Sequence, residues 1–204
     1  MSAVLALDRA LTLWINQHHN VVLDAVLLTV SYLGDAGIAW IVVALLMLFL
    51  GGRRTRLLAV IFMAGLIVTE LGIMPWLREA WPRPRPFVAI PGLRVLGPRW
   101  DMPSFPSAHA HLWGQAMLLF GAAYPRLRWL LIVLLTLSLY ARPYIGMHYV
   151  TDTLVGLMLG LCIGGLDLLV ARKLGLLATS TEEECETVVA PDMEQARESD
   201  PPCS

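Results

Sequence analysis

The stretch AGIAWIVVALLMLFLGG, residues 36–52, decides the class of fold, because its seventeen residues carry no charge. The run RRTR, residues 53–56, follows it directly. An uncharged apolar segment of this length that ends in arginines is typical of a helix spanning a bilayer, since the apolar part matches the hydrocarbon core and the arginines reach the headgroups.

The composition of the whole chain agrees with a membrane protein. Of its 204 residues, 57% are hydrophobic and 15% are charged, whereas soluble domains have about 45–50% apolar and about 25% charged residues. An excess of apolar residues of this size cannot be buried in a core, because a soluble protein also needs polar residues for its surface. The composition therefore excludes a soluble globular domain.

The apolar pattern predicts an all-α integral membrane protein with about five transmembrane helices. The predicted spans are residues 36–52, 57–77, 107–124, 129–140 and 149–171. Residues 78–106 are rich in proline and arginine and are predicted to form a loop, because proline disfavours regular helix.

Two further segments flank this transmembrane catalytic domain of residues 36–173. Residues 1–35 are predicted to form an amphipathic helix in the membrane interface or a re-entrant segment, because the polar run NQHHN, residues 16–20, is costly at the centre of a bilayer. Residues 174–204 are predicted to be a disordered acidic tail, since eight of the sixteen acidic residues follow Thr181 and only Arg197 opposes them there.

The basic residues at the turns predict the orientation in the membrane. Seven lie on one side of the predicted topology: Arg53, Arg54, Arg56, Arg126, Arg128, Arg172 and Lys173. Six lie on the other side: Arg78, Arg83, Arg85, Arg94, Arg99 and Arg142. Several of the six stand in motifs that need their charge for chemistry, so the group of seven and the acidic tail are expected in the cytoplasm. The expected location is the cytoplasmic (inner) membrane of a bacterium, with the second group facing the periplasm or the cell exterior.

Three clusters of polar residues flank the non-cytoplasmic ends of the predicted spans. They are REAWPRPRP at residues 78–86, FPSAH at 105–109 and ARPYIGMHYVTD at 141–152. Counting the spans places all three at one face of the membrane. Guanidiniums that face one space repel each other unless an anion lies among them, and arginine forms forked contacts with phosphate. The clusters therefore predict a phosphate-binding site.

Individual positions within the clusters suit the handling of a phosphate. Ser107, Ala108 and His109 follow a proline and begin a predicted helix, whose free N–H groups attract an anion. His148 and Asp152 are four residues apart, so on a helix they share a face. The carboxylate can then orient the imidazole as a nucleophile or base, and His109 can protonate the leaving oxygen.

The depth of Arg142 points to the same chemistry. Only thirteen residues separate Arg128 from Arg142, about 20 Å at helical rise, against a hydrocarbon core of about 30 Å. Arg142 is therefore expected below the membrane surface, where an ionised group is costly and usually functional, and a lipid headgroup is its natural partner. Two other charged residues of the predicted spans, Glu70 and Asp167, match no motif and are expected to pair helices or to meet a cation.

Each cluster taken alone has a plainer interpretation. The prolines of residues 82–86 could form a stiff linker, and His109 and His111 could lie at the membrane interface. His148 and Asp152 could form a hydrogen bond between packed helices. The three clusters together, at fixed spacing and at one membrane face, favour a catalytic site.

In this order the clusters resemble the motifs of the type-2 phosphatidic acid phosphatase family, which is related to bacterial acid phosphatases and vanadium haloperoxidases. The family patterns are Lys-x6-Arg-Pro, Pro-Ser-Gly-His and Ser-Arg-x5-His-x3-Asp. They match residues 78–86, 106–109 and 141–152 with every internal spacing kept, and the resemblance covers about residues 36–172. The chain differs in having Arg78 for lysine, Ala108 for glycine and Ala141 for serine, which removes no catalytic group.

The resemblance implies a role for each matching residue, on a helical core like that of the acid phosphatases and haloperoxidases. The residues implied to bind the phosphate are Arg78, Arg85, Arg142, Ser107 and Ala108. His148 attacks phosphorus and forms a phosphohistidine. His109 protonates the leaving group and then activates water, while Asp152 orients His148. The scheme requires neither a metal nor a cofactor.

The expected function is hydrolysis of a lipid phosphate, with polyprenyl diphosphates such as undecaprenyl diphosphate, phosphatidylglycerol phosphate and phosphatidate as the leading substrates. Two alternatives stay open: a phosphotransferase that passes the phosphate to another lipid, and a non-catalytic protein that binds or flips lipids. Lipid phosphate and membrane lipids are the expected partners, nucleic acid is not, and the sequence indicates no oligomeric state.

Removal of residues 179–204 is predicted to leave phosphatase activity intact, because this segment holds too few apolar side chains to offset the entropy of ordering it. The measurement is phosphate release by the truncated and the full chain, at matched amounts of membrane-inserted protein. A truncated protein that inserts normally but loses most of its turnover contradicts the prediction.

Overall fold

Every regular element that the computed structural model describes, over residues 3–34 and 37–177, is helical. The α-helices of these residues are α1 (Ala3–Gln17), α2 (Val21–Gly34), α3 (Ile38–Leu50), α4 (Arg53–Val68), α5 (Met74–Ala80), α6 (Pro86–Ala89), α7 (Ala108–Ala123), α8 (Arg128–Tyr144) and α9 (Val150–Lys173). A π turn (Thr69–Ile73) joins α4 to α5, and a 3-10 turn (Pro125–Leu127) precedes α8. The all-α class predicted from the sequence is confirmed for this part of the chain.

Two helical segments among the described residues are long and apolar enough to cross a bilayer. One is Arg53–Ala80, which runs through α4, the π turn and α5 over 28 residues, and the other is α9 with 24 residues. Helices α3, α7 and α8 have 13, 16 and 17 residues, fewer than the roughly 20 that a full span needs. The arrangement with five spans therefore stays a prediction.

The loop predicted over residues 78–106 is wrong in two places. Helix α5 continues to Ala80, so Arg78 is helical, and a short helix, α6, lies within the predicted loop. The π turn carries the helix past Pro75, whose ring nitrogen cannot donate the hydrogen bond of a regular helix. A wider helical turn of this kind leaves no mark in the apolar pattern of the sequence.

Helix α7 packs against α9 through a seam of glycines. Gly156, Gly160 and Gly164 recur every four residues and therefore share one face of α9. A Cβ atom at Gly156 would lie 2.3 Å from the carbonyl oxygen of Ser107, and one at Gly160 would lie 2.2 Å from that of His111. Because these side chains are missing, the two backbones touch. The start of α7 is thereby held against the start of α9.

Aromatic and polar side chains fill the space beside this seam. Trp40 of α3 meets Trp113 of α7 edge-on, with ring centroids 4.9 Å apart, an arrangement that favours the aromatic quadrupoles. On another face of α7, the Nε2 group of Gln115 donates to Oδ2 of Asp167 at 2.8 Å. Asp167 thus pairs α9 with α7, the first of the two uses expected for it.

Helix α1 turns its polar face toward the protein. Asp8, Thr12 and Asn16 are its buried residues and lie on one face, whereas Trp14 on the opposite face is 57% exposed. The rest of the molecule therefore covers the polar stripe of this amphipathic helix. Its placement in the membrane interface stays a prediction, and the predicted acidic tail lies, from residue 178 onward, outside the described residues.

Gly160→Ala is predicted to destabilise the fold by about 1–3 kcal/mol, because the added methyl group meets the backbone of His111. Gly165→Ala is the matched control in the same helix, since its Cβ would come no closer than 3.8 Å to Leu118. The measurement is thermal unfolding of both variants in one detergent. Equal unfolding midpoints for the two variants contradict the close packing of α7 on α9.

Candidate active site

The three sequence clusters meet at one cavity of about 440 Å³. The predicted site residues that line it are Arg78, Arg85, Ala108, His109, Arg142 and His148. They come from α5, the turn before α6, the first turn of α7, the end of α8 and the loop before α9. Apolar side chains of α3 and α4, among them Ile41, Met63 and Ile67, line the same cavity. The cavity therefore combines a cationic lining with an apolar one.

Arg85 is buried and held in place by backbone carbonyls. Its Nε donates to the carbonyl of Met102 at 2.8 Å, and its Nη1 donates to that of Met147 at 3.1 Å. Burial lowers the pKa of Arg85 to about 10, and the neighbouring charge of Arg78 lowers it in the same direction. The guanidinium is still charged at neutral pH, and its position is set before any anion arrives.

The other two arginines complete the cationic lining. Arg142 is 3% exposed, and its Nη1 donates to Oγ of Ser31 in α2 at 2.6 Å. Arg78 is half-buried, and among the described residues no atom accepts a hydrogen bond from its Nε. A buried donor without an acceptor is costly, so an anion in the cavity would stabilise the side chain of Arg78.

His148 presents an unprotonated ring nitrogen beside Arg85. Its Nδ1 lies 2.6 Å from the carbonyl oxygen of Ser104, and because a carbonyl only accepts, Nδ1 carries the proton. Its Nε2 lies 3.4 Å from Nη1 of Arg85, and because a guanidinium only donates, Nε2 is the acceptor. The ring is therefore the neutral tautomer with its lone pair at Nε2.

The surroundings of His148 keep it neutral. Burial lowers the pKa of His148 well below its ordinary value, and the positive charges of Arg142 and Arg85 lower it further. A neutral imidazole with a free nitrogen is the form that can attack phosphorus. The positive charges that line the cavity thus help to keep the ring neutral.

Asp152 lies beside His148 without a hydrogen bond to it, and the two side chains do not share a helix face as expected. His148 precedes α9, whose N-cap is Tyr149, and Oδ2 of Asp152 lies 3.9 Å from Nδ1 of His148, too far for a hydrogen bond. This oxygen instead accepts from the N–H of Tyr149 at 2.9 Å and from the hydroxyl of Ser104. Asp152 therefore holds Ser104, and the carbonyl of Ser104 orients the ring.

Two serines that sequence reasoning missed, Ser31 and Ser104, contact the site. Ser104 directly precedes the second motif, and Ser31 lies in α2, far from every motif. A serine in a proline-rich loop or on a helix has no charge or periodic pattern that marks it. Their contacts with Arg142 and His148 arise only when distant segments meet.

His109 lies beside Arg142 and has two kinds of partner at one nitrogen. Its Nε2 lies 3.1 Å from the carbonyl oxygen of Ser31 and 3.3 Å from Nη1 of Arg142. The carbonyl can only accept and the guanidinium can only donate, so the first contact suits a protonated Nε2 and the second an unprotonated one. This nitrogen can lose and regain a proton while keeping a hydrogen bond, as a general acid and base requires.

The N-terminus of α7 offers a backbone donor to the cavity. Ala108 lines the cavity, and its N–H is one of the first amides of α7, which have no acceptor within the helix. Ser107 is the N-cap: its Oγ accepts from the N–H of Ala110 at 3.5 Å, and its own N–H donates to the carbonyl of Asp152 at 3.1 Å. Ser107 does not line the cavity, so of these two residues only Ala108 can face an anion there.

An acidic residue that no motif marked also lines the cavity. Glu70 lies in the π turn, and its Oε1 is 3.7 Å from Nδ1 of His111. The ring of His111 is fully buried, and its position at the membrane interface stays a prediction.

The described fold is helical, and its cavity is lined by arginine and histidine side chains. The family model described as "PAP2 superfamily" matches residues 55–175. The chain belongs to this superfamily, and the resemblance predicted from the three motifs is confirmed. A search of curated proteins finds no match to the chain.

Two solved structures share the fold. The crystal structure of LpxE from Aquifex aeolicus is 22% identical, with a TM-score of 0.64 over 78% of this chain and 93% of that chain. The crystal structure of a transmembrane PAP2-type phosphatidylglycerolphosphate phosphatase from Bacillus subtilis is also 22% identical, with a TM-score of 0.67 over 85% of this chain and 88% of that chain. At this identity the likeness shows the fold.

His148 is predicted to stay neutral, with its proton on Nδ1, from pH 8 down to below about 6.5. The direction of this pH dependence follows from the lowered pKa of His148, since the ring gains a second proton only when the pH falls through the lowered value. The measurement is ¹⁵N NMR of the protein labelled at histidine, with the signal assigned by its loss in His148→Gln. A His148 signal that titrates at about pH 6.5 or above contradicts the prediction.

Proposed function

We propose that the protein is a membrane lipid phosphatase that hydrolyses a lipid phosphate or diphosphate through a phosphohistidine on His148. The proposal is carried by one contact, the unprotonated Nε2 of His148 lying 3.4 Å from Arg85 in a cationic cavity. Membership of the PAP2 superfamily supports it. One of the proteins that share the fold is a phosphatidylglycerolphosphate phosphatase.

Binding of the phosphate relieves the repulsion among the guanidiniums. Arg78, Arg85 and Arg142 line one cavity, and each offers N–H donors that match the oxygens of a phosphate. The amide of Ala108 adds a backbone donor at the positive end of α7. These donors bind the three oxygens that do not react and leave phosphorus open to His148.

In the first step, Nε2 of His148 attacks phosphorus, and a P–N bond forms as the P–O bond to the lipid breaks. The negative charge that grows on the phosphate oxygens is stabilised by the guanidiniums. Nε2 of His109 gives its proton to the leaving oxygen. The lipid product departs, and the ring of His148 keeps its Nδ1 proton on the carbonyl of Ser104.

In the second step, water attacks the phosphorus of the phosphohistidine. His109, now unprotonated, takes a proton from this water, and the P–N bond breaks. Inorganic phosphate leaves, the lone pair returns to Nε2 of His148, and His109 is ready for the next cycle. The arginines supply the positive charge for both steps, so the proposed reaction needs no metal ion.

The apolar part of the cavity favours a substrate whose tail stays in the membrane. Ile41, Met63 and Ile67 line it, and side chains of this kind stabilise hydrocarbon by burying apolar surface. The substrates that we propose are polyprenyl diphosphate, phosphatidylglycerol phosphate and phosphatidate. The proposed place of the reaction is the outer face of a bacterial cytoplasmic membrane.

The test of the proposed function is phosphate release from a panel of these purified lipids, in excess chelator, by the wild type and by His148→Ala. Free phosphate from the wild type alone supports a metal-independent hydrolase. Transfer of labelled phosphate to a second lipid without free phosphate indicates a phosphotransferase instead. A folded wild-type protein that turns over none of the lipids contradicts both and favours a lipid-binding protein.

His109→Ala is predicted to slow turnover most for a lipid monophosphate, whose alkoxide leaving group needs a proton in the transition state. Turnover of a diphosphate should fall less, because its leaving phosphate is stable without that proton. The expected loss for the monophosphate is about 10²–10⁴-fold in kcat. Equal losses for the two kinds of substrate contradict the assignment of His109 as the acid.

A further inference from the structure

Arg83 belongs to the same proline–arginine run as Arg85 but binds a different partner. Arg83 does not line the 440 Å³ cavity. Its Nη1 lies 2.6 Å from Oδ1 of Asp152, and its Nη2 lies 2.6 Å from Oδ2 of Asp8. The ring of Tyr149 lies beneath the guanidinium, 3.7 Å from its central carbon. Arg83 is thus bound by two carboxylates and an aromatic face, away from the lining of the phosphate site.

The two carboxylates need this arginine because both are buried. Asp8 is 3% exposed and Asp152 is fully buried, and an ionised carboxylate in such a place is costly unless a cation compensates it. Their charges also raise the pKa of Arg83, although burial by itself lowers it. Arg83 thereby places a positive charge against Asp152.

Arg83 reaches Ser104 by two routes. Its carbonyl oxygen accepts from the N–H of Ser104 at 2.8 Å. Its guanidinium binds Asp152, whose other oxygen accepts from the hydroxyl of Ser104. The remaining polar group of Ser104, its carbonyl, orients the ring of His148. Every polar group of Ser104 is therefore used, and Arg83 takes part in holding two of them.

Helix α1 takes part in the same arrangement. Asp8 accepts from the N–H and from the hydroxyl of Thr151, at 2.9 and 2.6 Å. Thr12, one turn further on, accepts from the N–H of Val150 at 3.2 Å. The first two amides of α9 thus find their acceptors on α1, which is the reason that the polar face of α1 is buried.

We infer that Arg83 is a positioning residue: clamped by Asp8 of α1, it fixes Asp152 and Ser104 and thereby the tautomer and orientation of His148. The inference rests on the proposed function in assigning His148 as the nucleophile. It makes the N-terminal helix part of the scaffold of the active site. It also gives the two arginines of the motif different roles. Arg85 binds phosphate, and Arg83 holds the residues that orient the nucleophile.

The test compares Arg83→Met, Arg83→Lys and Asp8→Asn in the full chain, by kcat and KM for phosphate release. Arg83→Met is expected to lower kcat by about 10–100-fold, as when a residue that orients an active-site ligand is removed. KM should change little. Arg83→Lys keeps the charge and should retain more of the wild-type kcat than Arg83→Met does. Asp8→Asn should also lower kcat, but by less than Arg83→Met. Arg94→Met is the matched control, because it breaks the Arg94–Asp24 pair, which has no contact with Asp152, and should leave kcat unchanged.

The second readout is the ¹⁵N NMR signal of His148, which needs no turnover. In folded Arg83→Lys or Asp8→Asn, the fraction of His148 with its proton on Nδ1 should fall, while Arg94→Met should keep the wild-type signal. Wild-type kcat and an unchanged His148 signal in these variants overturn the inference. A raised KM with unchanged kcat also overturns it, because Arg83 is then a phosphate ligand. If the wild type releases no phosphate, the proposed function fails, while the NMR signal still decides the positioning role.

Discussion

The contact between α7 and α9 is the constraint on which the rest of the site depends. Because Gly156 has no side chain, the start of α7 comes close enough for the N–H of Ser107 to donate to the carbonyl of Asp152 at 3.1 Å. His109, in the first turn of α7, and His148, directly before α9, then line one cavity. A side chain in the seam would separate the two histidines that the proposed reaction needs together.

This packing also separates the charges of the site into two groups. Arg83 is bound to the two buried carboxylates, Asp8 and Asp152, so these negative charges are compensated away from the cavity. The arginines that line the cavity keep their positive charge for an incoming anion. The imidazole of His148 stays neutral between the two groups, because burial and the neighbouring arginines oppose its protonation.

The sequence predicted which residues meet at the site better than it predicted their contacts. Spacing and residue type placed His109, His148 and the three cavity arginines at one site, since charge and helix starts are visible in a sequence. The four-residue spacing misled for Asp152, because α9 begins only at Val150 and the carboxylate caps that helix. Ser104 was missed because its role depends on segments that meet only in the folded chain. Likewise, the helical fold follows from composition, but the π turn that carries Arg78 into the helix does not.

The position of the phosphoryl group on the enzyme tests the central claim most directly. A phosphoenzyme formed from labelled lipid phosphate is quenched, digested and analysed for the phosphorylated residue and for the ring nitrogen that carries phosphorus. Because the carbonyl of Ser104 occupies Nδ1 of His148 at 2.6 Å, the account predicts phosphorus on Nε2 of His148. Phosphorus on Nδ1 of His148, or on His109, would contradict it.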